Sequence, residues 1–268
     1  METDTTQNQT TTALNIPAFW KAQRKDWRIT VIRTSLERLG YKIILPYLTI
    51  YIILLGATKT QLGFVTSLGL IASGLIGPYI GQVIDRHGPK KVYIVGILIL
   101  AGGYLAFASA PVWQVAALGM FLHQLGGGVG GQSCATICGN CLANCDRAKG
   151  MLVCESLAAG VLGMVGPMIS GWFLVSIMGV EDTPTDPNSI RPLFFITLTI
   201  TIISLLVVVF KLSFSRWTTS NSNVKRNVLK DAVAILKADK NCVKWIFMAI
   251  VGNMPVAMVI PYVTAFCC

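Results

Sequence analysis

Residues 81–91 read GQVIDRHGPKK, and this short charged segment links two long apolar stretches at about 61–84 and 91–110. Crossing the hydrocarbon core of a bilayer takes about 20 mostly apolar residues in a helix. Because backbone polar groups cannot stay unpaired in lipid, each of these stretches is predicted to be helical. The segment therefore joins two membrane-spanning helices.

The same alternation of apolar stretch and polar loop extends over the chain. Of its 268 residues 53% are hydrophobic and 13% charged, whereas soluble domains carry about 25% charged residues. Seven stretches are long enough to span a membrane: 29–55, 61–84, 91–110, 112–138, 149–178, 193–213 and 243–266. We predict an all-α integral membrane protein with four parts: a tail at 1–28, a six-helix domain at 29–213, a loop with an amphipathic helix at 214–242, and a seventh helix within 243–268.

The net charge of +10 is unevenly distributed. If the N-terminus is cytoplasmic, most of the 22 Lys and Arg residues fall in the tail and in the loops on that side. Only Lys59 and Arg191 lie in loops on the other side. This positive-inside pattern predicts a multi-pass protein of the cell membrane with a cytoplasmic N-terminus. It also explains the basic balance without a nucleic-acid partner.

Two pairs of similar strings indicate internal repeats. Residues 44–49 read ILPYLT and 259–264 read VIPYVT, in helices predicted to run in the same direction. Residues 74–80 read GLIGPYI and 163–169 read GMVGPMI, in helices of opposite direction. An inverted three-helix repeat within a parallel six-helix repeat is a transporter architecture. The seventh helix then begins a second copy, and we expect either a missing C-terminal half or a second subunit.

The segment 81–91 resembles the signature loop of the major facilitator superfamily, G-x-L-(A/S)-D-(R/K)-x-G-(R/K)-(R/K). This resemblance implies a bundle of twelve helices, of which seven are present here, and a cytoplasmic gate at the loop. Plain positive-inside charge is the alternative explanation. The residues assigned to the gate are Gly81, Asp85, Arg86, Gly88, Lys90 and Lys91. We expect the Asp85 carboxylate to accept bonds from a helix N-terminus, and the basic groups to pair with carboxylates of the opposing half.

The fifth stretch is similar to the Gly-Pro-rich motif G-P-x-x-G-G that is associated mainly with the family's antiporters. Ser170 replaces the first glycine of the closing pair. Small residues let helices approach closely, and proline favours a bend. The residues assigned to packing or bending are Gly163, Gly166, Pro167 and Gly171. Close packing alone explains them equally well, so the motif does not distinguish symport from antiport.

Ionisable residues inside the spans are costly and therefore candidates for function. Arg33 and Glu37 are spaced i,i+4 and are expected to neutralise one another. The string from Glu37 to Tyr41 resembles the E-R-F-x-Y string of proton-coupled peptide transporters, although a salt-bridged helix end is an open alternative. The candidates for a substrate or proton path are Glu37, Tyr41, Lys42, His123, Gln124 and Asn253.

The fourth stretch is similar to the family pattern R-x-x-x-G-x-x-(A/G)-G, with His123 in place of the arginine that this resemblance links to proton coupling. Histidine could carry the proton instead, because its ordinary pKa is near 6.5. Packing against a neighbouring helix is the alternative. Gly127 and Gly131 follow at the spacing typical of close helix contacts.

Four cysteines lie at i, i+4, i+7 and i+11 in the continuation of this helix: Cys134, Cys138, Cys141 and Cys145. On one helix face the four cannot converge on one ion, so we predict no metal site and no cofactor. The favoured interpretation is a stripe of small packing residues.

The sequence therefore predicts a secondary active transporter, not an enzyme, for a small-molecule substrate. Protons are the favoured coupling ion, and membrane lipid surrounds the bundle. A drug-like compound, a sugar, a peptide or a metabolite would each be compatible. Two alternatives stay open: a metal or redox protein using the cysteine stripe from Cys134 to Cys145, and a non-transporting receptor or scaffold.

Overall fold

The computed structural model describes residues 16–143, 146–154, 160–179 and 184–212, and within the last part of the chain 241, 243–244, 247–248 and 251–252. In that part of the chain every regular element is helical. The helices are α1 (Ile16–Ala22), α2 (Lys25–Leu54), α3 (Lys59–His87), α4 (Pro89–Ala108), α5 (Trp113–Cys141), α6 (Arg147–Leu152), α7 (Leu162–Ser176) and α8 (Pro187–Lys211).

Helices α2, α3, α4, α5 and α8 each cover one predicted span. The fifth predicted span contains α6 and α7, with π-helical residues at 153–154 and 160–161 and with 155–159 outside the described residues. Helices α3, α4 and α8 are long and apolar enough to cross a membrane, and α7 is apolar but has 15 residues. The first helix of the bundle begins at Lys25, within the predicted tail. The seventh helix falls largely outside the described residues, so the count of seven spans stays a prediction.

Local sequence signals explain where α3 and α4 begin. The chain turns at Gly56, with φ of 96°, and α3 then starts with a capping box in which Thr58 and Gln61 bond to each other's backbone. Gly88, with φ of 81°, ends α3, and Pro89 follows as the first residue of α4. Glycine tolerates positive φ and proline suits the first helical position, so both turns follow from the sequence.

The tightest helix pair is α4 against α5, and glycine makes it possible. A Cβ atom on Gly126 would lie 2.6 Å from the backbone nitrogen of Leu100 and 2.9 Å from the carbonyl oxygen of Gly96. One on Gly103 would lie 3.0 Å from the carbonyl oxygen of Gly119. The two backbones are therefore in direct contact, as in membrane helices that pack through small residues.

The two largest apolar clusters among the described residues lie one towards each end of the bundle. The cluster at the end that holds the α2–α3 turn, called the Thr58 end, includes Tyr51, Phe107 and Phe194. The Tyr51 hydroxyl donates to the carbonyl oxygen of Phe107 at 2.8 Å. The cluster at the end that holds the α3–α4 turn, called the Asp85 end, includes Trp27 and Tyr93. Each cluster joins α2 to α4 and α8, which fixes the relative positions of these helices.

Helix α8 is fastened near both of its ends. At the Thr58 end, Arg191 donates to the carbonyl oxygen of Ala110 at 2.7 Å. At the Asp85 end, the Lys90 ammonium donates to the carbonyl oxygens of Leu212, at 2.6 Å, and Val209, at 3.2 Å. A cation at a helix C-terminus satisfies carbonyls that have no partner within the helix and opposes the negative end of the dipole.

Large apolar side chains cover the outer faces of α3 and α7. Their exposed members include Phe64, Leu75, Met164, Met168 and Trp172. Contiguous apolar surface of this kind is rare on soluble monomers and marks contact with a membrane or another protein surface. The exposed faces agree with the predicted lipid environment.

Candidate functional site

A polar cavity of about 280 Å³ opens between α2 and α5. Glu37 lies twelve residues from the start of α2, and His123 lies ten residues from the start of α5. At 1.5 Å per residue these positions are about 15–18 Å from the helix ends, near half the depth of a bilayer. The lining comprises Arg33, Thr34, Glu37, Arg38, Tyr41, His123, Gln124, Gly127, Gly131, Cys134, Ala135, Met151 and Cys154.

The charged wall of the cavity is built around Arg33, which is 2% exposed. Its guanidinium forms the expected ion pair with Glu37, one helical turn away. It also donates to the Tyr93 hydroxyl at 3.0 Å and lies over the Tyr93 ring, 4.4 Å from its centroid. A buried charge is tolerated only when it is paired and hydrogen-bonded. These contacts hold the Glu37 carboxylate, whose side chain is 20% exposed, at the cavity wall.

The aromatic wall is built around His123, which lies between two tyrosines. Its ring stacks on Tyr41, with centroids 4.9 Å apart and planes 17° apart, and is tilted against Tyr104 at 5.4 Å. The Nδ1 atom of His123, the Tyr104 hydroxyl and the Nε atom of Arg33 are buried without a hydrogen-bond partner among the described residues. Buried polar groups normally have partners. Of these residues, His123 and Arg33 line the cavity, so a polar ligand or water there would be suited to partner them.

Gly127 and Gly131 lie on the cavity wall, where a Cβ atom would meet nothing within 4 Å. Other glycines of α5 are in close helix contact, among them Gly126 against α4, Gly128 against Ser73 of α3, and Gly130, whose Cβ would lie 3.4 Å from the Arg33 guanidinium. The packing register is thus one residue away from the predicted one. Gln124 shares the cavity wall and also contacts α3, since a Cβ atom on Gly69 would lie 2.9 Å from its Cγ.

Of the other path candidates, Lys42 does not line the cavity. Lys42 lies against α7, where its Cβ would be 2.6 Å and its carbonyl carbon 2.9 Å from a Cβ atom on Gly166. A Cβ atom on Gly163 would lie 3.7 Å from the Cε atom of the same Lys42 side chain. Asn253 lies outside the described residues.

The glycine residues of α7 face α2. Besides Gly163 and Gly166, a Cβ atom on Gly171 would lie 4.0 Å from the Tyr47 hydroxyl. Pro167 lies inside the helix, and the Ser170 hydroxyl donates to its carbonyl oxygen at 3.0 Å. These contacts are those of close helix packing.

The loop residues fall into two groups. Asp85 and Arg86 are exposed and make no ion pair or hydrogen bond with any residue that the structure describes. The start of α4 at Gly88 has no side-chain cap, so the Asp85 carboxylate does not cap that helix. Lys90 instead binds the end of α8. Gly81 has open space around its Cα, and Lys91 is exposed.

The cysteines are arranged differently from the predicted stripe. Cys134 and Cys138 lie next to Cys154, which follows α6, and their three sulfur atoms all lie within 4.8 Å of one another. Sequence reasoning missed Cys154 because no spacing rule connects it to the cysteines of α5. Cys141 is buried outside this group, and Cys145 lies outside the described residues.

Comparison with known proteins supports a transporter architecture. The model of the Major Facilitator Superfamily matches residues 31–267. Multidrug resistance protein MdtG of Salmonella typhi is 24% identical over 204 residues, which cover 73% of this chain and 46% of that protein, and the Salmonella arizonae protein gives the same values. This chain thus spans about half the length of these relatives.

Among solved structures, the human organic anion transporter MFSD10 (TETRAN) matches with a TM-score of 0.56 at 15% identity. The match covers 71% of this chain and 47% of that one, and it concerns the fold alone. Together with the polar cavity and the apolar outer faces, these matches fit a multi-pass membrane protein. The chain belongs to the Major Facilitator Superfamily.

Proposed function

We propose that this bundle forms one half of the path of a secondary active transporter that moves a small organic solute by alternating access. The observation that carries the proposal is the cavity at half depth, with an ion pair on one wall and stacked aromatic rings on the other. A charged solute cannot cross the lipid that surrounds the apolar outer surface. It needs a polar cavity inside the bundle, and the cavity between α2 and α5 provides one.

The chemistry of the two walls favours an amphipathic solute with a charged or polar group. Tyr41 and His123 offer an aromatic surface, while Glu37, Arg38 and Gln124 offer charged and polar contacts. Aromatic faces bind flat apolar groups and organic cations. The relatives named for multidrug resistance are consistent with a drug-like substrate.

Glu37 is the best candidate for a coupling proton. Protonation of the Glu37 carboxylate would break its ion pair with Arg33. The buried guanidinium would keep its hydrogen bond to the uncharged Tyr93 hydroxyl. A substrate could then take the place of the carboxylate charge. His123 is the second candidate. The charge distribution supports a cytoplasmic N-terminus, and Asp85 with Arg86 would belong to a gate on that side.

Uptake into proteoliposomes tests this function. The purified chain, together with the half that completes the path, would be reconstituted and supplied with a panel of labelled amphipathic cations and anions, with and without an imposed pH gradient. We expect uptake driven by the gradient, and at least a tenfold loss of that driven uptake in Glu37→Gln. Tyr41→Leu should weaken substrate binding about tenfold, which corresponds to about 1.4 kcal/mol.

Thr199→Val is the matched control, because Thr199 is exposed on α8 and its hydroxyl bonds only within its own helix. If Glu37→Gln disturbs folding, the double neutral variant Arg33→Met, Glu37→Gln removes the unpaired charge and should still lack driven uptake. No uptake of any compound once the other half completes the path, or unchanged driven uptake in both Glu37 variants, would contradict the proposal.

A further inference from the structure

Three cysteine sulfur atoms meet behind the polar cavity. Cys134 and Cys138 are one turn apart on α5, and Cys154 reaches them from the helical residues that follow α6. All three side chains are buried, and their Sγ atoms lie within 4.8 Å of one another. We propose that these three thiols bind one soft d¹⁰ metal ion, of the Zn²⁺, Cd²⁺ or Cu⁺ class, through three sulfur ligands.

The spacing of the sulfur atoms suits a single ion. Zinc–sulfur bonds are about 2.3 Å long, so three thiolates around one ion are about 4.0 Å apart in a trigonal arrangement. The observed upper limit of 4.8 Å is close enough for small side-chain rotations to complete the site. Cysteines on one face of one helix cannot converge on one ion. Here the third ligand, Cys154, comes from a different segment, so convergence is possible.

The donor set decides which ions fit. Only sulfur atoms form the cluster, and thiolates select soft ions over hard ions such as Mg²⁺ or Ca²⁺. The Thr34 hydroxyl lies 3.5 Å from the Cys134 sulfur, a distance suited to a weak hydrogen bond that orients this ligand.

An ion could reach the cluster through the cavity. Cys134 and Cys154 both line it, whereas Cys138 lies behind them. Met151 lines the same cavity and is 40% exposed, so its thioether presents a further soft ligand on the way in. Binding would form three metal–sulfur bonds, and the displaced thiol protons would be released to solvent.

Titration of the purified, reduced chain with Cd²⁺ tests the site. We expect one Cd²⁺ per chain, a new near-ultraviolet sulfur-to-metal absorption band, and proton release. Cys134→Ser, Cys138→Ser and Cys154→Ser should each weaken binding at least tenfold. Cys141→Ser is the matched control, since Cys141 is also buried on α5 but outside the cluster, and it should bind like the unmodified chain.

A second readout keeps the test independent of folding defects. In the unmodified chain, bound Cd²⁺ should protect Cys154 from alkylation, which peptide mass mapping locates. Bound Cd²⁺ should also raise the melting temperature of the chain. Absence of stoichiometric Cd²⁺ binding by the reduced chain, or equal loss of binding in Cys141→Ser and the cluster variants, would overturn the proposal. A disulfide within the cluster that persists under reducing conditions would overturn it as well. None of these outcomes bears on the uptake assay, so the two proposals fail separately.

Discussion

Replacement of Gly126 by alanine tests the α4–α5 contact, and the structure sets the size of the effect. The added Cβ atom would lie 2.6 Å from the backbone nitrogen of Leu100 and 2.9 Å from the carbonyl oxygen of Gly96, whereas ordinary contact begins at 3.4 Å. Both opposing atoms are backbone, so no side chain can rotate away. The helices must therefore separate by up to about 0.8 Å. Overpacking of this kind costs about 1–3 kcal/mol.

Gly127→Ala is the control for this substitution, one residue further along the same helix. Its Cβ atom would meet nothing within 4 Å, while both substitutions gain the same helix propensity, up to about 1 kcal/mol. The overpacking cost is thus the difference between the two variants. At about 2–4 °C per kcal/mol, Gly126→Ala should melt about 2–12 °C below Gly127→Ala in detergent. Equal melting temperatures would refute the direct backbone contact.

Two further substitution pairs test other contacts by the same thermal assay. Gly166→Ala should destabilise the protein by about 1–3 kcal/mol, because its Cβ would lie 2.6–2.9 Å from the Cβ and backbone carbon atoms of Lys42. Gly163→Ala should be tolerated, because its Cβ would lie 3.7 Å from the flexible end of the Lys42 side chain. Tyr51→Phe should cost about 1 kcal/mol by removing the hydroxyl bond to the Phe107 carbonyl oxygen, which then keeps only the longer bond from the Ala110 N–H at 3.3 Å. Tyr104→Phe should cost nothing, since that hydroxyl has no partner among the described residues. A reversed order within either pair would contradict the corresponding contact.

The predicted helices α2 to α5 and α8 are found because apolar length is a local property of the sequence. The i,i+4 pair of Arg33 and Glu37 was equally readable, since helix periodicity alone brings the two side chains together. The π-helical residues 153–154 and 160–161, which lie between α6 and α7, were not predicted, because hydropathy does not distinguish a π-helical turn from an α-helical one.

Contacts between helices were less accessible to prediction. The glycine run of α5 contains small residues at adjacent positions, so the spacing alone could not show that Gly126 packs while Gly127 faces the cavity. The Lys90 ammonium was expected to face the opposing half, whereas it binds carbonyls at the end of a helix far along the chain. Neither spacing nor charge reports which helix lies beside which.

The bonds near the two ends of α8 restrict how this helix can move. A shift of α8 along its own axis would break the Lys90 contacts at one end or the Arg191 contact at the other. Axial sliding is therefore opposed in both directions, while a rotation shared by α4, α5 and α8 leaves every one of these bonds intact. The α3–α4 turn and the end of α8 would accordingly move together in any rearrangement that keeps the Lys90 contacts.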